Sequence, residues 1–313
     1  MDRDGFSRRL KTVLLIAVFL VAAGGLIALI SLRGAGDGDH TPVLAEASAP
    51  QDAVAQAPAA AQEPGRRSGR AAPVAPPAAN DRGRALLTEA EAHLSAGKLL
   101  EARETLFTLL DESHDAAARQ RARNHLNTIH TELVFNPHPM PEKEEYVVQS
   151  GDSLGRIARR YGTTVELLQK SNRISGHIIH PGQRLRVLKE KFSIAVSIED
   201  NTLTLYLNGR YFKRYPVGTG AYGKTPTGES KVTDRIAQPT WWRPDGTSIP
   251  YGDKDNLLGT HWLALDIPRY GIHGTWEPDT IGGYESAGCI RMYNHDVEEL
   301  FNLIPVGTPV VLR

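Results

Sequence analysis

GIHGTWEPDTIGGYESAGCIRM, residues Gly271–Met292, is the stretch on which the reading of this chain turns. It holds Cys289, the one cysteine among 313 residues, and His273, sixteen positions earlier. A lone cysteine with a histidine elsewhere in the sequence is a candidate nucleophile and base. A thiol of ordinary pKa is only roughly 3% ionised at pH 7; a neighbouring imidazole that takes its proton raises the reactive fraction. Gly288 allows a sharp turn and a close approach of the backbone to a substrate. The amides of Ala287, Gly288 and Cys289 are then candidate donors to a developing oxyanion. The competing reading is a small buried apolar thiol. The residue types leave both open, and spacing alone implies Cys–His acyl transfer without naming a substrate.

The wider pattern narrows this. His273-Gly274-Thr275 followed by Ser286-Ala287-Gly288-Cys289-Ile290-Arg291 resembles the catalytic signature of the L,D-transpeptidase (YkuD-like) family, and the likeness runs from Phe192 to Arg313. Thr225-Pro226-Thr227-Gly228-Glu229 resembles a second stretch of that family. In the family a histidine often precedes the Gly-Cys pair, where this chain has Ala287. The resemblance implies that Cys289 attacks the L,D peptide bond before the terminal D-Ala of a tetrapeptide stem, with His273 as base. An amine then resolves the thioester, giving a crosslink between two third-position residues or attaching a protein amine. The resemblance places Gly274, Ser286, Ala287 and Gly288 around the oxyanion and substrate. Arg291 is a candidate grip on a stem carboxylate, with a structural salt bridge as the other reading. Acylation of Cys289 by carbapenems is also implied, and no cofactor or metal is. Two alternatives stand beside this one: an L,D-carboxypeptidase, in which water resolves the acyl-enzyme, and a non-catalytic peptidoglycan-binding anchor, with Ala287 a sign of decay.

The rest of 192–313 reads as mostly β. Ile194, Val196 and Ile198 alternate with polar residues, as do Leu203, Leu205 and Leu207, and Asn208-Gly209 is a favoured hairpin turn. Arg210–Val217 is the return strand. Further strands are expected at Lys231–Ile236, Trp262–Leu265, Gly288–Met292 and Val310–Leu312, and a helix at His295–Leu303. Trp241, Trp242, Tyr251 and Trp262 are read as cleft wall or core filling.

Upstream, YVVQSGDSLGRIARRYGTTVELLQKSN and IIHPGQRLRVL, within 145–189, resemble a LysM domain of strand–helix–helix–strand form. Asp152 or Ser153 is a natural N-cap, and Gly162 ends the first helix. The resemblance implies binding of the N-acetylglucosamine of peptidoglycan or chitin between two loops carrying Gly151, Asp152, Ser153 and Leu154, and Ile179 and His180. A capping role for Asp152 and a core role for Ile179 are the plainer readings.

Three apolar stripes at helical spacing in 81–135 predict two or three short helices, similar to a tetratricopeptide unit, with plain core packing or a protein partner as their use. Residues 136–142 carry three prolines and read as a linker. Residues 33–80 are rich in Ala and Pro and are expected to be a disordered tether. Thr12–Leu32 is an uncharged apolar run long enough to span a bilayer. Arg3, Arg8, Arg9 and Lys11 precede it, which predicts residues 1–11 inside and the rest exported across an inner membrane into the periplasm; a cleaved signal peptide is the alternative. Export with one cysteine excludes an internal disulfide. Zero net charge gives nucleic acid no electrostatic support.

Overall fold

Three helices open the part of the chain that the computed structural model describes, residues 78–243 and 245–313. They are α1 (Ala78–Ser95), α2 (Leu99–Glu112) and α3 (Ala116–Phe135). Gly97, at φ 70°, turns α1 into α2. Asp115 caps α3 by accepting from the amides of Ala117 and Ala118. The predicted stripes face one another: Leu86, Leu87, Ala90, Leu106, Leu109, Leu126 and Ile129 are all buried. The helical segment begins at Ala78, three residues inside the stretch read as tether. The expected tail (1–11) and membrane span (12–32), and nearly all of the tether, lie outside the described residues. Among the described residues no helix is long and apolar enough to cross a membrane.

Next come β1 (Lys143–Val147), α4 (Leu154–Tyr161), α5 (Val165–Asn172) and β2 (Arg184–Leu188), with β1 and β2 paired antiparallel. Ser153 caps α4, Thr164 caps α5, and Gly162 closes α4 at φ 63°. Tyr146, Leu154, Ile157, Leu168 and Leu185 form this module's own core. Lys143 lies buried below it and donates to the Leu133 and Asn136 carbonyls at the end of α3, at 2.7 and 2.6 Å. Burial pushes its pKa down to about 8.

The remaining elements are β3 (Phe192–Ser197), β4 (Thr202–Leu207), β5 (Arg210–Pro216), β6 (Gly228–Ala237), β7 (Trp241–Trp242), β8 (Ser248–Ile249), β9 (His261–Leu265), β10 (Gly271–His273), β11 (Ile290–Arg291), α6 (Asn294–Leu303) and β12 (Pro309–Leu312). Asn208 and Gly209, at φ 50° and 73°, make the expected turn between β4 and β5. A mixed eight-stranded sheet runs β11-β10-β9-β6-β12-β3-β4-β5, parallel only at β10–β11 and β12–β3. The β7–β8 hairpin sits in the excursion between β6 and β9. The strand expected over Gly288–Met292 is shorter, only β11, because Gly288 at φ 129° cannot continue a ladder.

The helices pack on β5. His130 Nδ1 donates to the Phe212 carbonyl at 2.7 Å and its ring stacks on Phe212 at 4.9 Å. Tyr211 donates to Asn127 at 2.8 Å, and the Arg210 guanidinium lies 3.7 Å over the Phe107 ring. The apolar residues of α1–α3 and of the sheet form one continuous cluster.

Candidate active site

β10 carries His273, and β11 begins one residue after Cys289. The two strands run parallel with Ile272 opposite Ile290 and His273 opposite Arg291. That register sets Cys289 beside Gly271. Cys289 thus lies two register positions from His273 along the paired strands, just before β11 begins. The strand pairing therefore makes near neighbours along the backbone of two residues that the sequence separates by sixteen positions.

Each has a defined partner. The Cys289 thiol donates to the Arg269 carbonyl at 3.6 Å. His273 Nδ1 contacts the Gly274 carbonyl at 2.6 Å. A carbonyl only accepts, so Nδ1 carries the proton and Nε2 keeps a lone pair, the form a general base needs. Burial drives the His273 pKa down to about 4 and raises that of Cys289. Arg291 lowers both, and the Gly271 amide also favours the thiolate. At neutral pH the resting pair is thus a thiol and a neutral imidazole. Trp262, on β9, stacks on His273 at 5.6 Å and fixes the plane of the ring.

The loop before Cys289 is closed by side-chain to backbone bonds. Ser286, 4% exposed, donates its hydroxyl to the Cys289 carbonyl at 2.6 Å and accepts from the Gly288 amide at 3.0 Å. The Gly288 N–H, expected to face an oxyanion, is therefore engaged within the loop. The amides of Ala287 and Cys289 meet no acceptor among the described residues. Gly288 is compulsory: its φ is 129°, and a Cβ there would lie 2.5 Å from Tyr270 and 2.9 Å from the Lys224 carbonyl. Thr225 ties the second signature stretch to the first, accepting from the Gly220 amide at 2.7 Å and donating to the Gly288 carbonyl at 2.9 Å. Gly274 has no room for a side chain, since a Cβ would run into Asn294.

Arg291 differs from the substrate role expected of it. One Nη reaches Glu277 at 3.0 Å and Thr280 at 3.3 Å, so the side chain braces the 277–280 turn as the structural salt bridge weighed against that role. Of the four aromatics read as wall or core, Tyr251 walls a cleft of about 400 Å³ with Gly252, Asp253, Lys254 and Trp276, and Trp242 is 71% exposed. Trp276, Tyr270 and Arg269 were not singled out from the sequence. Only the closeness of Trp276 to His273 could have pointed to any of them.

In the small module, Asp152 accepts from the Tyr146 hydroxyl at 2.6 Å and from the Gln149 amide at 2.9 Å, so it holds the loop shut. Leu154 is buried and Ile179 packs partly on the core, which removes Leu154 from a glycan-facing role. Gly151, Ser153 and His180 are exposed, as is Ile178 at 76%.

Comparison with known proteins fits this geometry. Residues 191–312 match the L,D-transpeptidase catalytic domain and residues 146–188 the LysM domain. The chain is 36% identical over 175 residues to the putative L,D-transpeptidase YkuD of Bacillus subtilis, covering 54% of this chain and 98% of that protein. It is 38% identical over 173 residues to the Bacillus licheniformis counterpart, covering 53% and 96%. Among solved structures, the catalytic domain of an Enterococcus faecium L,D-transpeptidase is 25% identical and covers 40% of this chain and 98% of that one, at a TM-score of 0.33. With nearly the whole of the Bacillus relatives matched at that identity, the chain belongs to the L,D-transpeptidase family and carries a LysM domain ahead of the catalytic one.

Proposed function

We propose that the protein is a cysteine-dependent peptidoglycan L,D-transpeptidase in which Cys289 is the nucleophile and His273 the base. The observation that supports this is the strand pairing that leaves Cys289 two register positions from a neutral His273. His273 Nε2 takes the thiol proton as the sulfur attacks the carbonyl carbon of the L,D bond. The Cys289 and Ala287 amides, which flank Gly288 and have no acceptor among the described residues, receive the oxyanion. Collapse of the tetrahedral adduct breaks the C–N bond, and the proton on Nε2 passes to the departing D-Ala amine. The thioester is then attacked by an acceptor amine, whose proton His273 removes, and the thiol is restored. The cleft beside Trp276 and Tyr251 gives an extended stem a place to lie. An N-terminal membrane anchor would hold this domain outside the cytoplasm.

Incubation with a tetrapeptide stem and intact-mass analysis tests the reading. A thioester adduct on the wild type, absent in Cys289→Ala, is expected, followed by dimer formation. An adduct that persists in Cys289→Ala overturns the nucleophile assignment, and tripeptide without dimer converts the reading to carboxypeptidase.

A further inference from the structure

The LysM domain meets the catalytic domain through α5, and the contact is chemically specified. Thr164, 2% exposed, donates its hydroxyl to the Asn302 carbonyl while its oxygen also caps α5. Arg235 on β6, with a side chain 15% exposed, reaches Glu166 of α5 at 3.2 Å and the Phe301 carbonyl at 2.5 Å through the same Nη2. Its guanidinium lies 4.1 Å over the Phe301 ring. Phe301 and Asn302 belong to the last turn of α6, whose carbonyls have no partner within the helix. One of these is satisfied from the LysM side by Thr164, and the other by the arginine that also grips Glu166. Leu167 of α5 is buried in the apolar cluster shared by α1–α3 and the catalytic domain rather than in the LysM core. The loops at 151–153 and 178–182 stay exposed in this docked arrangement.

A module on a free tether raises only the local concentration of a ligand. A module fixed by buried polar contacts also fixes the distance and angle from bound sugar to reacting sulfur. We propose that Arg235 is a positioning residue that latches the LysM domain in one orientation, so that the preferred donor is a stem still attached to a LysM-bound glycan strand rather than a free stem peptide. This rests on the transpeptidase reading above. Arg235 touches neither Cys289 nor His273, so the latch acts on how a polymeric substrate is presented and not on the acyl transfer itself.

The test uses the full-length protein and three substitutions, Arg235→Ala, Arg235→Lys and Glu166→Ala. Turnover is measured on free tetrapeptide and on uncrosslinked glycan chains bearing tetrapeptide stems, beside sedimentation with insoluble peptidoglycan. Arg235→Ala is expected to keep wild-type kcat and KM on the free stem and wild-type sedimentation. Its KM on the glycan-borne stem should rise at least about tenfold, a part of the roughly 10²–10⁴ that linked binding can supply. Arg235→Lys, which keeps the charge toward Glu166, should recover part of that rise. An unchanged KM on glycan-borne stems in Arg235→Ala, or a wild type that does not prefer them over free stems, overturns the proposal. Should Arg235→Ala fail to fold, the same comparison on Glu166→Ala decides. Should the wild type form no thioester with either substrate, the transpeptidase reading fails; the latch is then judged by whether Arg235→Ala speeds hydrogen exchange in α5.

Discussion

A buried imidazole and a half-buried thiol set the behaviour of the candidate site residue by residue. Because the His273 pKa is held near 4, the imidazole proposed as base stays unprotonated well below the ordinary histidine range. The acid limb of acylation rate against pH should therefore lie near 4 rather than 6.5, which a pH series of adduct formation by mass spectrometry checks. His273→Ala should slow acylation by about 10²–10⁴, the span of general-base catalysis, measured as the rate of D-Ala release. Gly288→Ala meets both a forbidden φ and the Tyr270 ring. It should yield inactive protein destabilised by roughly 1–3 kcal/mol, read from the urea midpoint. Cys289 and His273 stand out as candidates in the sequence because few residue types carry this chemistry. The capture of the Gly288 amide by Ser286 and the commitment of Arg291 to Glu277 were not legible there. Both depend on which of several nearby acceptors a folded loop brings within 3 Å, and spacing does not encode that.

Elements with a strong period or a distinct cap were readable in advance. The helix pair of the LysM domain follows from Ser153, Gly162 and Thr164, and the β4–β5 hairpin from Asn208-Gly209. β10 was not expected as a strand, although it carries His273. Three residues, two of them framing the isoleucine as Gly and His, are too few for an alternation to show. What makes it a strand is pairing on both sides, with β9 and β11, and that information is non-local. The third helix is held at its start by one side chain. Asp115→Ala removes the acceptor for two amides and should cost about 1 kcal/mol, seen as a lower midpoint in denaturant with activity on free stem retained.

At the scale of the whole molecule, His130 joins His273 in coupling stability to acidity. Both are buried and neutral, with pKa values near 4 in the folded chain against about 6.5 when unfolded. Between those values the unfolded chain binds more protons, so stability is full above about pH 6.5 and falls as pH drops toward 4. Each group accounts for roughly 3 kcal/mol over that window. His130→Gln, which keeps a donor for the Phe212 carbonyl, should flatten the decline in denaturant midpoint between pH 7 and pH 5. The LysM and catalytic domains were legible from their motifs. How the helices and the LysM domain fold back on the sheet was not, because those contacts join residues 80 to 140 positions apart.

That folding-back settles what the sheet presents to its surroundings. One end of its strand order is the two-residue β11, too brief to template a neighbour, and at the other end α3 lies along β5 with His130 occupying the Phe212 carbonyl. A passing extended chain meets α3 and a carbonyl already taken, rather than an open edge, at β5. A chain that begins at residue 136, lacking that cover, should form cross-β aggregates that the intact one resists, read by thioflavin fluorescence.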